Sequence, residues 1–150
     1  MKRYLLLILL TMVTLSKAQT SVSPAYRGNY HAPITIGRHH FVAEIVDTPQ
    51  AMQLGMMYRT HIGDNQAMLF AYDKPQAMTF WMKNMHIALD MLFFDDKGVL
   101  QEIKADVPPC QQVNCPVYPA RHDNNQFVVE IQAGLAKKLR LRIGDKLRGL

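Results

Sequence analysis

The sequence predicts a mainly β domain, built as an antiparallel β-sandwich or a partly closed barrel with one or two short helices. Short segments of alternating apolar and polar residues, rich in β-branched and aromatic side chains, recur along the chain. Turn-forming clusters such as residues 73–75 and 95–98 separate these segments. A chain of 150 residues without an internal repeat provides one hydrophobic core, and therefore one domain.

The first 18 residues have the pattern of a signal peptide. A positively charged start precedes an apolar run over residues 4–15, and Ser16 and Ala18 form a small-x-small cleavage site. The apolar run is shorter than the ~20 residues that a membrane-spanning helix needs, which disfavours an uncleaved anchor. We therefore expect an extracytoplasmic protein, periplasmic or secreted, whose mature form begins at Gln19 and has no membrane span.

The charge of the chain does not indicate a nucleic-acid partner. The formal net charge is +5, but three of the 17 basic side chains lie in the leader, which leaves 14 against 12 acidic ones. Binding to a duplex needs a concentrated basic stripe. The basic cluster within residues 137–142 is typical instead of a solvated helix end. We expect no nucleic-acid binding.

The folded domain is predicted to occupy residues 34–150. Residues 19–33 lack periodicity and are predicted to form a flexible N-terminal arm, because they offer little apolar surface to offset the entropy of ordering. A β-hairpin should follow, with its turn near residues 38–39. His39 and His40 are adjacent, but neighbouring side chains of a strand point to opposite faces, which disfavours a shared metal ion. No metal site and no cofactor are predicted.

A helix should follow the hairpin, with Thr48 as its cap, Pro49 at its first position and its end near Arg59. The methionines within this helix have the spacing of core residues and are favoured as packing side chains over copper ligands. Further strands are predicted at residues 67–72, 78–83, 88–94, 99–105 and 127–132, a short helix at 133–139, and a turn into a last strand at 143–147.

Cys110 and Cys115 are the two cysteines of the chain and lie in a proline-rich loop. In an exported protein this pair predicts a disulfide. A redox or metal pair is the alternative, but the two-residue spacing of a Cys-x-x-Cys motif and obvious companion ligands are missing. A bridge that closes so small a loop contributes ~2 kcal/mol, so its main effect is to fix the shape of the loop.

The most apolar run of the domain, residues 80–94, contains the single tryptophan of the chain. Its alternation on both sides of a polar break is typical of two antiparallel strands joined near residues 84–87. A short connection places residues near its two ends opposite each other. We therefore expect Lys83, Asn84 and Asp90 to converge, with Asp90 ionised and paired by the first two or by Arg59.

Several motifs are shared with a known family: residues 48–59, 68–70, 89–93, 108–116 and 144–145, and above all Phe80-Trp-Met-Lys-Asn84. In these segments the chain resembles the uncharacterised Domain of Unknown Function family 192. The resemblance covers most of residues 35–149. It implies a small, mostly β, jelly-roll-like domain of a kind often exported in bacteria, and it implies no established activity.

The chain departs from the family pattern at two places. Gln50 and Ala51 stand where the family usually has acids, so the helix lacks the carboxylate of a capping box. Met85 and Ala88 stand where the family commonly has Thr and Pro, with His86 between them. A role that requires that hydroxyl or that fixed turn is not expected in this member.

For the function, a binding module is favoured over an enzyme. The sequence has no hydrolase nucleophile elbow, zinc-protease helix, glycine-rich phosphate loop or double cysteine-pair zinc pattern. For Lys83 and Asp90 themselves a structural ion pair is favoured, and a catalytic cluster of Lys83, His86 and Asp90 stays open as an alternative.

The binding hypothesis places a small molecule, saccharide or peptide on an aromatic surface with polar anchors around it. The predicted ligand-binding residues are Arg59, Trp81, Lys83, Asn84, His86 and Asp90. Two other classes remain. One is a cell-envelope interaction or accessory domain that recruits a protein through an exposed sheet edge, and the other is a hydrolase of unknown type.

Overall fold

The computed structural model describes residues 30–150. It confirms a mainly β domain, with the strands and helices β1 (Tyr30–Ile36), β2 (His39–Val46), α1 (Pro49–Leu54), β3 (Gln66–Gln76), β4 (Thr79–Trp81), β5 (Leu89–Asp95), β6 (Leu100–Val107), β7 (Val117–Pro119), β8 (Asn125–Gln132), α2 (Leu135–Lys138) and β9 (Leu147–Arg148). The signal peptide, its cleavage site and residues 19–29 of the predicted arm lie outside the described residues.

Seven strands form one curled sheet in the order β6-β5-β8-β3-β2-β1-β9, and β4 pairs with β7 in a small second sheet. All neighbours are antiparallel except β2 and β3, which are parallel. Parallel neighbours cannot be joined by a tight hairpin and need a crossover. The crossover is the segment of residues 47–65, which includes α1, so the parallel pair brings α1 over one face of the sheet.

Each face of the large sheet has its own core, because side chains alternate along the strands. One face carries Met68, Phe70 and Phe93, and α1 and the β4–β7 sheet lie over it; we call this the cleft face. The opposite face carries Leu69, Leu92 and Val129 and is covered by α2 and the C-terminal segment. The six residues from Leu89 to Phe94 are fully buried or nearly so, because β5 lies between both cores.

Several local predictions are confirmed. β1 and β2 form the expected hairpin. Thr48 caps α1 by accepting a hydrogen bond from the N–H of Ala51 at 3.3 Å. Cys110 and Cys115 are joined in a disulfide. Among the described residues, no helix is both long and apolar enough to cross a bilayer.

Other boundaries differ from the prediction. β1 begins at Tyr30, so the last four residues of the predicted arm belong to the sheet. α1 ends at Leu54 rather than near Arg59, because Gly55 has a φ of +49° that is incompatible with a continuing helix, and its N–H closes the helix on the carbonyl of Ala51. α2 is likewise shorter than predicted.

The predicted hairpin around residues 84–87 is wrong. β4 pairs with β7, whereas β5 pairs with β6 and β8. After β4 the backbone bonds to the disulfide loop: the N–H of Cys110 donates to the carbonyl of Met82, and the N–H of Asn84 donates to the carbonyl of Cys110. The disulfide loop therefore occupies the position beside residues 82–84 that the hairpin hypothesis assigned to β5.

Candidate functional site

A cleft of about 390 Å³ lies between α1 and the segment that follows β4. Its walls consist of apolar side chains and uncharged polar groups, together with one cation: Gln50, Gln53, Leu54, Met57, Tyr58, Trp81, Lys83 and Asn84. The volume falls within the range of small-molecule sites, which combine apolar walls with a few polar groups. The cleft therefore has the size and composition of a ligand site.

Trp81 lies at the edge of the cleft, and 43% of it is exposed. Alternation along β4 turns Trp81 outwards and Phe80 inwards. The Phe80 ring packs edge-on against Phe70, with centroids 5.1 Å apart, and against Phe93, at 5.7 Å. The ammonium of Lys83 lies 5.4 Å from the centre of the Trp81 ring, within the range of a cation–π interaction. Trp81 thus presents an exposed aromatic face beside a positive charge.

Two residues on opposite walls, Tyr58 and Asn84, have left-handed backbone conformations, with φ values of +65° and +59°. They hold each other: the N–H of Tyr58 donates to the carbonyl of Asn84 at 2.9 Å, and the side-chain amide of Asn84 donates to the Tyr58 hydroxyl at 3.0 Å. Asn tolerates this conformation, whereas a bulky residue such as Tyr rarely adopts it. Strained residues of this kind cluster at functional sites.

Replacing Tyr58 with glycine should yield a more stable protein than replacing it with alanine, by about 1 kcal/mol. Both changes remove the same ring and hydroxyl contacts, but only glycine relieves the left-handed strain. Urea unfolding of the two variants measures the difference. Equal stabilities, or a more stable alanine variant, would show that the Tyr58 backbone is not strained.

A smaller cavity of about 30 Å³ adjoins the cleft, and Gln53, Leu54, Met57, Trp81 and Lys83 line both spaces. Glu130, on β8, also lines this inner cavity and is only 4% exposed. Its neighbours across the sheet are Met68 and Met91, and no described residue donates a hydrogen bond to its carboxyl group. Burial raises the pKa of Glu130 to about 8, although the positive charge of Arg59 opposes the shift.

The structure brings three of the six predicted site residues together. Trp81, Lys83 and Asn84 line the cleft. Arg59 lies outside its lining and pairs with Glu44 at 2.6 Å. His86 is exposed and is also absent from the cleft lining.

The predicted convergence of Asp90 with Lys83 and Asn84 is wrong. Asp90 is fully buried, and its carboxylate accepts three backbone N–H groups, from Asp106 at 2.8 Å, Gly134 at 3.0 Å and Ala136 at 2.8 Å. These donors lie on the face of the sheet away from the cleft. Asp90 therefore ties α2 and the end of β6 to β5.

Sequence reasoning missed Glu130 and the α1 wall of the cleft. Glu130 lies in β8 between the apolar residues Val129 and Ile131, and the preceding residue on its own face is Val128. A lone glutamate at an inward position of such a strand was the available signal. Gln50, Gln53 and Tyr58 gave no comparable signal, because polar residues on a short helix are usually solvated.

Comparisons with known proteins agree with this fold. Residues 32–149 match the model of the family DUF192, described as "Uncharacterized ACR". No curated protein matches the chain. A protein of unknown function from Novosphingobium aromaticivorans DSM 12444 is 33% identical, with a TM-score of 0.74 over 85% of this chain and 91% of that chain.

A second similar crystal structure is that of a "putative transcription regulator" from Sinorhizobium meliloti 1021. It is 28% identical, with a TM-score of 0.75 over 81% of this chain and 95% of that chain. Both solved structures share the fold described above. Since the family model covers nearly all of the described residues, the chain belongs to Domain of Unknown Function family 192.

Proposed function

We propose that this protein is a binding module, which takes a small molecule with a flat apolar surface into the cleft between α1 and β4. The observation that supports this most directly is the hydrogen-bonded pair of left-handed residues, Tyr58 and Asn84, beside the exposed ring of Trp81. A large exposed aromatic and a strained tyrosine are each unfavourable for folding alone, and contact with a ligand would make use of both.

The lining of the cleft favours binding over catalysis. Apart from Lys83 and the Tyr58 phenol, its residues carry no ionisable group, and the Glu130 carboxyl of the adjoining cavity has no hydrogen-bonded acid or base beside it among the described residues. Nucleophilic or acid–base catalysis needs a group activated by a neighbouring base or acid. The amides of Gln50, Gln53 and Asn84 are suited instead to hydrogen bonding with a ligand.

We also infer that the protein acts outside the cytoplasm. The bond between Cys110 and Cys115 supports this inference, because disulfides persist in oxidising compartments and are rare in the cytosol. The signal-peptide pattern of residues 1–18 points in the same direction. Intact-mass analysis of the exported protein tests both the cleavage of the signal peptide and the disulfide. The expected product begins at Gln19 and lacks two hydrogens relative to the reduced chain.

Binding should require Trp81 but stability should not. An NMR screen of saccharides, organic acids and amines should yield compounds that shift the indole signal of Trp81, the single tryptophan. We expect Trp81→Ala to weaken the binding of these compounds at least about tenfold, followed in this variant through the NMR signals of the compounds themselves. The effect on urea unfolding should be small because the ring is half exposed. Ile143→Ala, at an exposed position absent from the cleft lining, is the control. Compounds that bind Trp81→Ala as tightly as the wild type would refute the proposal.

A further inference from the structure

The inner cavity extends the cleft towards a single buried polar group. Its space of about 30 Å³ suits one water molecule or one oxygen-bearing group of a ligand. Aromatic rings and thioethers form much of its wall, including Phe70, Phe80 and Met85. The Glu130 carboxyl is the acidic group among its lining residues, and burial and the charge of Arg59 act on it without a hydrogen bond from any residue of 30–150. A polar group in an apolar wall is costly unless it has a hydrogen-bond partner, and an oxygen of a ligand in this cavity would supply one.

The charged and titratable groups around Glu130 are mostly positive or neutral. Lys83 lines the same cavity, and no carboxylate among the described residues lies within ion-pair distance of its ammonium. Arg59, on the segment after α1, faces Glu130 but is paired with Glu44. Tyr72 of β3 is a phenol whose pKa is raised, first by burial and then by the charge of Glu130.

Glu130 itself holds its proton at neutral pH, because burial raises its pKa to about 8. A protonated carboxyl offers an O–H donor. At neutral pH the groups lining the cleft and the inner cavity therefore present an ammonium, several amide N–H groups and this O–H, but no negative charge.

Building on the function proposed above, we propose that the cleft takes a small organic anion with a flat apolar body. The body stacks on Trp81, the anionic group pairs with Lys83, and Glu130 donates a hydrogen bond to an oxygen of the ligand. A cationic ligand is the opposite case. The like charge of Lys83 would repel it. Glu130 would have to lose its proton to attract it, so both residues oppose a cation.

Three flat probes of nearly equal shape test the charge preference: benzoate, benzamide and benzamidine, which are anionic, neutral and cationic. Each is titrated into the intact protein, and the Trp81 indole signal is followed by NMR at pH 6.5 and pH 9.5. Benzoate should bind most tightly at pH 6.5. Its affinity should be about 30-fold lower at pH 9.5, where only a small fraction of Glu130 keeps its proton.

Two variants assign this behaviour to residues. Glu130→Gln should bind benzoate with similar affinity at both pH values, because the amide is a donor that does not titrate. Lys83→Met should abolish the binding of benzoate but leave the binding of benzamide unchanged.

The proposal fails if benzamidine binds best, if benzoate binds equally at both pH values, or if Glu130→Gln keeps the pH dependence of the wild type. In each of those cases the cleft still binds a ligand and the proposed function stands. If none of the three probes shifts the Trp81 signal at either pH, while other compounds do, the anion preference is refuted alone. If no compound shifts it, the proposed function falls as well.

Discussion

Glu130→Gln is expected to stabilise the protein by several kcal/mol above pH 8 and to change its stability little below pH 5. The pKa of Glu130 is raised from 4.5 to about 8 in the folded protein, chiefly by burial. Between these values the folded state keeps a proton that the unfolded state releases. Rising pH therefore favours unfolding by about 1.4 kcal/mol per unit, and the stability present below pH 4.5 is lost as the pH passes 8. Glutamine has the same shape and does not titrate.

Urea unfolding at pH 5, 7 and 9 measures the effect, and Glu102→Gln is the matched control. Glu102 is also buried, and burial alone would raise its pKa. Hydrogen bonds from the Lys104 ammonium at 2.7 Å and the Arg121 N–H at 2.6 Å outweigh burial and lower the pKa of Glu102. Its contribution to stability is present at neutral pH and lost as the pH falls, so Glu102→Gln should be destabilising at pH 7.

The two glutamine variants should therefore move stability in opposite directions at neutral pH. If Glu130→Gln and the wild type instead lose stability in parallel between pH 5 and pH 9, Glu130 titrates as an ordinary carboxyl group. That result would also remove the donor role proposed for Glu130 in the inner cavity.

Asp90→Asn should destabilise the protein by roughly 3 kcal/mol or more, because it disrupts a buried carboxylate that accepts three backbone N–H groups. The asparagine amide can offer only one oxygen. Its NH₂ group would face a backbone N–H that is also a donor, and that N–H would be left unsatisfied in the core. The loss of stability should appear as local opening of α2 and of the end of β6, which Asp90 joins to β5.

Asp106→Asn is the control for Asp90→Asn. Asp106 is exposed and has a φ of +53°, a conformation that asparagine adopts readily. The stability of the Asp106→Asn variant should stay within about 0.5 kcal/mol of that of the wild type. Hydrogen exchange should show faster opening of the Gly134 and Ala136 amides in Asp90→Asn but not in Asp106→Asn. Unchanged protection at those amides would mean that Asp90 does not hold α2.

The local features of the fold were predictable because they depend on neighbouring residues. The β1–β2 hairpin follows from two alternating segments on either side of a short turn. The Thr48 cap and Pro49 follow from the backbone groups at a helix start. The Cys110–Cys115 bond follows from two cysteines in a short loop. Three cleft residues, Trp81, Lys83 and Asn84, were found because they stand together in one unusual motif.

The sequence alone therefore determined the mainly β class, the disulfide and the region of the cleft. The tertiary structure decided which strands pair, that α1 forms the second wall, that Asp90 is held by residues 106, 134 and 136, and that Glu130 and Trp81 line one cavity. The physical reason is that alternation assigns a side chain to a face of a strand but does not identify the strand beside it. That choice depends on how the cores of the whole domain pack, so partners distant in the chain, such as Asp90 and Ala136, could not be found from local patterns.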